Sequence, residues 1–189
     1  MTPTILIVPG LRDHVADHWQ TLLAARLDGV RTVPPMGREN LDLAARVHAI
    51  EQTVCVIDGL VIVVAHSGGV IAVAHWVEQT RCRVIGALLA APPDFERPMP
   101  PGFPTTSALR AGGWLPVPRR PFPFPSIVAA SRNDPLAAYG SAVSLASAWG
   151  SQLVDLGEVG HLNPASGFGE WPRALSLIER LASAAVAVA

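Results

Sequence analysis

The stretch Val61-Ile62-Val63-Val64-Ala65-His66-Ser67-Gly68-Gly69-Val70-Ile71-Ala72 carries an apolar, β-branched run directly into a serine and then into a second apolar run opened by two glycines. The first run has no polar alternation, which suits a strand buried on both faces, and the second suits a buried helix. A chain that passes from strand to helix through a single residue forces strained backbone angles on that residue. The positions two before and two after it must then be small, so that strand and helix can approach. Ala65 and Gly69 occupy those positions, with alanine where glycine is usual. The expectation is a nucleophile elbow, with Ser67 exposed at the carboxyl edge of a strand.

Outward from this point, similar short runs recur at Ile5 to Val8, Val30 to Val33, Val84 to Leu89, Ser126 to Ala129 and Leu153 to Leu156, and the central strand itself is read from Leu60 to Val64. Segments with helical spacing lie between them: Ala16 to Leu27, Leu41 to Val54, Gly69 to Gln79, Leu136 to Trp149 and Pro172 to about Ala187. Asn40 is placed to cap the second helix, Asp134 with Pro135 to open the fourth, and Gly150 to end it. Right-handed crossovers between such units build an open, mostly parallel sheet with helices on both faces, an α/β architecture whose ligands sit at the carboxyl ends of the strands.

At 189 residues the chain is read as one unit spanning 1–189. The rhythm breaks only between Pro92 and Pro125, where 11 of the 18 prolines fall, and that stretch is read as a stiff, ordered excursion shaping a pocket. Fourteen basic residues oppose 15 acidic ones, which argues against a nucleic-acid groove or an anionic-membrane patch. Every basic residue is arginine, so a lysine Schiff base and a phosphate-loop lysine are excluded. Cys55 and Cys82 sit far apart in apolar surroundings and read as reduced core residues. The amino end lacks the pattern of a secretory signal, so a cytoplasmic location is expected.

A serine hydroxyl becomes a nucleophile only when a base takes its proton, and the base needs an orienting carboxylate, in the chain order serine, acid, histidine. His161, in the glycine-bearing loop after the last strand, is the candidate base. Asp134, in Ser131-Arg132-Asn133-Asp134-Pro135 after the fifth strand, is the candidate acid, with Asp94 after the fourth as its rival. The oxyanion donors expected are the backbone amides of Gly68 and of Leu11, in the loop after Pro9-Gly10. Trp19, Phe103 and Trp114 are candidates for the substrate wall. His14 and His18, four apart with Asp13 and Asp17 beside them, raise a zinc reading, but Val15 stands where a metalloprotease helix needs glutamate. No metal and no cofactor are expected. His48, His66 and His75 are expected to be structural.

These residues resemble the small α/β-hydrolase-fold serine hydrolases typified by retinoblastoma-binding protein nine, a family with many bacterial members. The likeness rests on Ile5-Leu6-Ile7-Val8-Pro9-Gly10, Asp17-His18-Trp19-Gln20, Ala65-His66-Ser67, Ala91-Pro92-Pro93-Asp94, Ser131 to Pro135, and Gly160-His161-Leu162-Asn163 through Gly169. It implies a trimmed three-layer α/β/α fold of about six strands in the order 2-1-3-4-5-6, with Ser67, Asp134 and His161 as the triad. Two places depart from the family pattern: Leu11-Arg12-Asp13-His14 stands where relatives often carry glycines, and Ser67-Gly68-Gly69 where they often read serine-leucine-glycine. The function expected is hydrolysis of a small carboxylic ester or amide through an acyl-enzyme, with a protein partner left open. The alternatives are a non-catalytic binding module on the same fold and an acyltransferase using the same triad.

Overall fold

The structure, a computed structural model, describes residues 2–12 and 15–186. Six strands, β1 (Thr4–Val8), β2 (Val30–Thr32), β3 (Val61–His66), β4 (Val84–Ala90), β5 (Ser126–Ala130) and β6 (Gln152–Asp155), form one sheet in the order β2-β1-β3-β4-β5-β6. Every neighbouring pair is parallel. Among the helices, α1 (Trp19–Arg26), α2 (Leu43–Cys55), α3 (Gly68–Val77), α4 (Thr106–Ala111), α5 (Tyr139–Trp149) and α6 (Arg173–Val186), the two flanking layers divide cleanly. Leu6, Val63, Ala65, Leu89 and Val128 pack toward α2, α3 and α5. Their strand neighbours Ile5, Ile62, Val64, Leu88 and Ile127 pack toward α1 and α6. Adjacent strand residues point to opposite faces, so both faces can be buried only if the strands carry continuous apolar runs, as the central strands β1, β3, β4 and β5 do.

Three local expectations change. The second helix is capped by Asp42, whose Oδ1 accepts from Ala45 N at 3.1 Å, while Asn40 accepts from Asp42 N one step earlier. The fourth expected helix starts at Tyr139 rather than Leu136, because Leu136 N donates to the Asp134 carboxylate at 2.8 Å and closes a turn instead. The proline-rich stretch contains α4, capped by Thr105, whose Oγ1 accepts from Ala108 N at 3.2 Å. Leu109 and Trp114, both fully buried, pin this stretch to the core.

Cys55 and Cys82 are joined in a disulfide with Cα atoms 6.0 Å apart, which corrects the reading of two separate reduced core thiols. Cys55 is exposed, as the last residue of α2, and Cys82 is half-buried in the turn before β4. Both α2 and α3 run back from the carboxyl to the amino edge of the sheet, so their ends bring the two cysteines together despite 27 residues of separation. Among the described residues, no helix is long and apolar enough to cross a membrane.

Candidate active site

Ser67 links β3 to α3 with φ 54° and ψ −129°, a left-handed conformation that a non-glycine residue adopts at a cost. Its amide donates to Ala90 O at 3.0 Å and its carbonyl accepts from Val70 N at 2.8 Å, so β4 and α3 hold the strained residue from both sides. The sequence requirement for small neighbours has a geometric cause. A Cβ on Gly69 would lie 2.7 Å from Val8 O and would also collide with Pro9 O. Gly10 passes so close to the elbow that a Cβ there would stand 3.2 Å from Ser67 Cβ. At Gly68 a Cβ would lie 2.8 Å from Leu11 Cγ. The two departures from the family pattern therefore fit one another: the bulk absent at 68 is supplied by the Leu11 side chain.

Three of the expected residues meet. Ser67 Oγ lies 2.8 Å from His161 Nε2, and His161 Nδ1 lies 2.8 Å from Asp134 Oδ2 and 3.0 Å from Oδ1. The His161 and Asp134 side chains are 5% and 4% exposed, so water competes little for this contact. Asp94 lies elsewhere: its carboxylate accepts from Ser141 Oγ at 2.7 Å and Glu96 N at 3.2 Å, and Arg97 stands 3.7 Å away. It ties the start of the proline-rich stretch to α5.

Several positioning contacts involve residues the sequence reading passed over. Asn133 Oδ1 accepts from Gly160 N at 2.7 Å, Ser131 Oγ accepts from Val159 N at 3.1 Å, and Arg132 N donates to Gly157 O at 2.7 Å. The acid-bearing loop thus clamps the histidine-bearing loop along its length. Ser166 Oγ accepts from His161 N at 3.0 Å, behind the imidazole. Gln20, buried, donates to Val8 O and Val64 O, fixing α1 over the ends of β1 and β3. His66, expected to be structural, meets His161 O through its Nε2 at 2.9 Å. A carbonyl only accepts, so Nε2 carries the proton. Burial above all, then the neighbouring His161 and His18 rings, holds the His66 pKa well below the usual value, and the ring stays neutral.

The cleft beside Ser67 has a volume of about 700 Å³ and is lined by Gly10, Leu11, His66, Phe95, Phe103 and His161 among others. Phe103 thus stands where the wall was expected, but Trp19 and Trp114 do not line it. Trp19 is 1% exposed and packs edge-on to Trp171 beneath His66. Trp114 is fully buried against Phe95, with Nε1 donating to Leu41 O at 2.8 Å. Both indoles are core residues, packed on other aromatic side chains and turned away from the cleft lining. Trp19 Nε1 has no hydrogen-bond partner among the described residues. Trp19→Phe therefore loses volume but no protein hydrogen bond, whereas Trp114→Phe also strips Leu41 O of its donor. We expect Trp114→Phe to cost about 1–3 kcal/mol more in urea unfolding, and equal losses would refute this account. Asp13 and His14 of the zinc reading lie outside the described residues, and His18 Nδ1 accepts from Gln20 N at the start of α1.

The strand order and the serine turn at the end of the third strand define an α/β-hydrolase fold. The chain belongs to the serine hydrolase family, whose sequence profile matches residues 5–180. A YdeN-like hydrolase from Pectobacterium atrosepticum is 32% identical, with 96% of this chain and 91% of that chain covered and a TM-score of 0.82. The ydeN gene product of B. subtilis is 20% identical, covering 96% of this chain and 100% of that chain at a TM-score of 0.73. Est1E from Butyrivibrio proteoclasticus, solved with ferulic acid bound, is 15% identical over 86% of this chain and 82% of that chain, at a TM-score of 0.67. No curated protein matches the sequence.

Proposed function

We propose that this hydrolase cleaves small carboxylic esters, and amides of similar size, through an acyl-enzyme on Ser67. The observation that carries the reading is the continuous contact from Ser67 Oγ through the His161 ring to Asp134. His161 Nε2 takes the hydroxyl proton as Ser67 Oγ bonds to the substrate carbonyl carbon, and the Asp134 carboxylate holds Nδ1–H and stabilises the imidazolium. The carbonyl electrons move onto oxygen, where the amides of Gly68 and Leu11 receive the charge. This role is supported by the approach of Gly10 to Ser67 and by Leu11 packing on Gly68. Collapse of the oxyanion breaks the bond to the leaving alcohol, which receives the proton from His161. Water then repeats the sequence in reverse roles, releasing the acid and restoring Ser67. Every step uses only the chain's own groups and water, so the reading calls for no metal and no cofactor. Phe103 forms part of the wall beside the acyl group.

A fluorophosphonate probe followed by peptide mapping tests the reading directly. Labelling is expected at Ser67, and His161→Ala is expected to suppress it. A folded protein that takes no label would overturn the catalytic reading in favour of a binding module.

A further inference from the structure

The described charged groups lining the cleft are Arg12, Arg38 and Glu39. Arg12 follows directly on the proposed oxyanion donor, and its guanidinium carbon stands 5.7 Å from the centre of the Phe103 ring. Arg38, from the loop after β2, donates through Nη2 to Gly102 O at 3.0 Å. Two cations from different loops thus converge on one turn, Gly102-Phe103, at the rim of the cleft. Among the described residues neither makes an ion pair. A guanidinium held over an aromatic ring keeps its charge, and its planar fork of N–H groups receives a carboxylate through two parallel hydrogen bonds. Arg12 lines the same cleft as Ser67 and His161, two residues along the chain from Gly10, where an added Cβ would stand 3.2 Å from Ser67 Cβ.

We propose that Arg12, supported by Arg38, forms an anion subsite, and that the preferred substrates are short esters carrying a carboxylate a few bonds from the scissile carbonyl. This inference rests on the serine-hydrolase reading and narrows its substrate class. Glu39 leaves the described cleft with one negative charge against two positive ones, so a neutral or cationic ester gains nothing there. If the arginines only pinned the Gly102-Phe103 turn, removing Arg12 would affect charged and neutral esters alike.

The test compares the mono-para-nitrophenyl ester of glutarate with para-nitrophenyl valerate, which has the same chain length without the charge. It also compares para-carboxyphenyl butyrate with phenyl butyrate, which moves the carboxylate to the alcohol half. In one pair or the other, kcat/KM is expected to favour the charged ester by about tenfold or more at low salt, and the preference should shrink as ionic strength rises. Arg12→Met should collapse that ratio, and Arg12→Lys should restore part of it, since lysine keeps the charge but loses the planar fork. Ser67-dependent hydrolysis with no preference in either pair, or an equal loss on both members in Arg12→Met, overturns the subsite and leaves the hydrolase reading standing. Absence of both hydrolysis and fluorophosphonate labelling would instead remove the reading on which the subsite rests.

Discussion

Ser67→Ala is expected to reduce turnover of a short acyl ester by roughly 10⁴- to 10⁶-fold while leaving the fold in place. The chemical loss is complete, because alanine has no oxygen to form the acyl bond and water must attack unassisted by a covalent step. The structural loss is small for two reasons. Serine and alanine both carry a Cβ, so the strain of the positive φ is the same in either protein. The hydroxyl has one contact to forfeit, the 2.8 Å approach to His161 Nε2, and Ser67 is half-buried at the cleft, where solvent can replace it. Thermal unfolding should therefore shift by no more than the equivalent of about 1 kcal/mol. Near-wild-type hydrolysis by a folded Ser67→Ala protein would place the nucleophile elsewhere. A protein that loses turnover only because it unfolds would show the collapse in the melt.

The central elbow was legible because its constraints are local. The serine must leave a strand and enter a helix in one step, so the small residues that permit it lie two positions away, at Ala65 and Gly69. The same locality made the four central strands readable, since a strand buried on both faces has no polar alternation to confuse with a helix. What the sequence concealed was distance across the fold. Cys55 and Cys82 look unrelated until α2 and α3 return together to the amino edge of the sheet. Trp19 and Trp114 are aromatic residues near cleft-forming loops, but whether such a ring faces the cleft or the core is a tertiary property with no period to betray it. The helix α4 was hidden by the prolines around it, although Pro104-Thr105 before it and Gly112-Gly113 after it are ordinary boundary signals. The clamp from Asn133 to Gly160 was concealed too, because a loop asparagine carries the same sequence signature whether it binds solvent or a second loop 27 residues on.

Asp134→Asn should lower kcat on the same ester by about 10⁴-fold, against little change for Asp94→Asn. The reason lies in which oxygen of Asp134 does what. Leu136 N donates to Oδ1 at 2.8 Å, and an asparagine at this position would keep its carbonyl oxygen there, since the amide nitrogen cannot accept that bond. The asparagine NH₂ then occupies the place of Oδ2, which now lies 2.8 Å from His161 Nδ1. An NH₂ in the nearer place, at 2.8 Å against 3.0 Å for the oxygen at Oδ1, repels Nδ1–H and favours an Nδ1 that accepts, which moves the ring proton to Nε2. There it points at Ser67 Oγ and removes the lone pair that must take the serine proton. The fold is retained, because the turn at Leu136 survives, so the loss should appear in kcat with the melting temperature nearly unchanged. At Asp94 both oxygens accept from donors remote from the imidazole, Ser141 Oγ and Glu96 N, and an asparagine can keep one of these bonds without touching the ring. A larger loss from Asp94→Asn than from Asp134→Asn would mean that the working enzyme draws its acid from the other loop, and that the loops holding Asp94 and His161 rearrange before the chemistry begins.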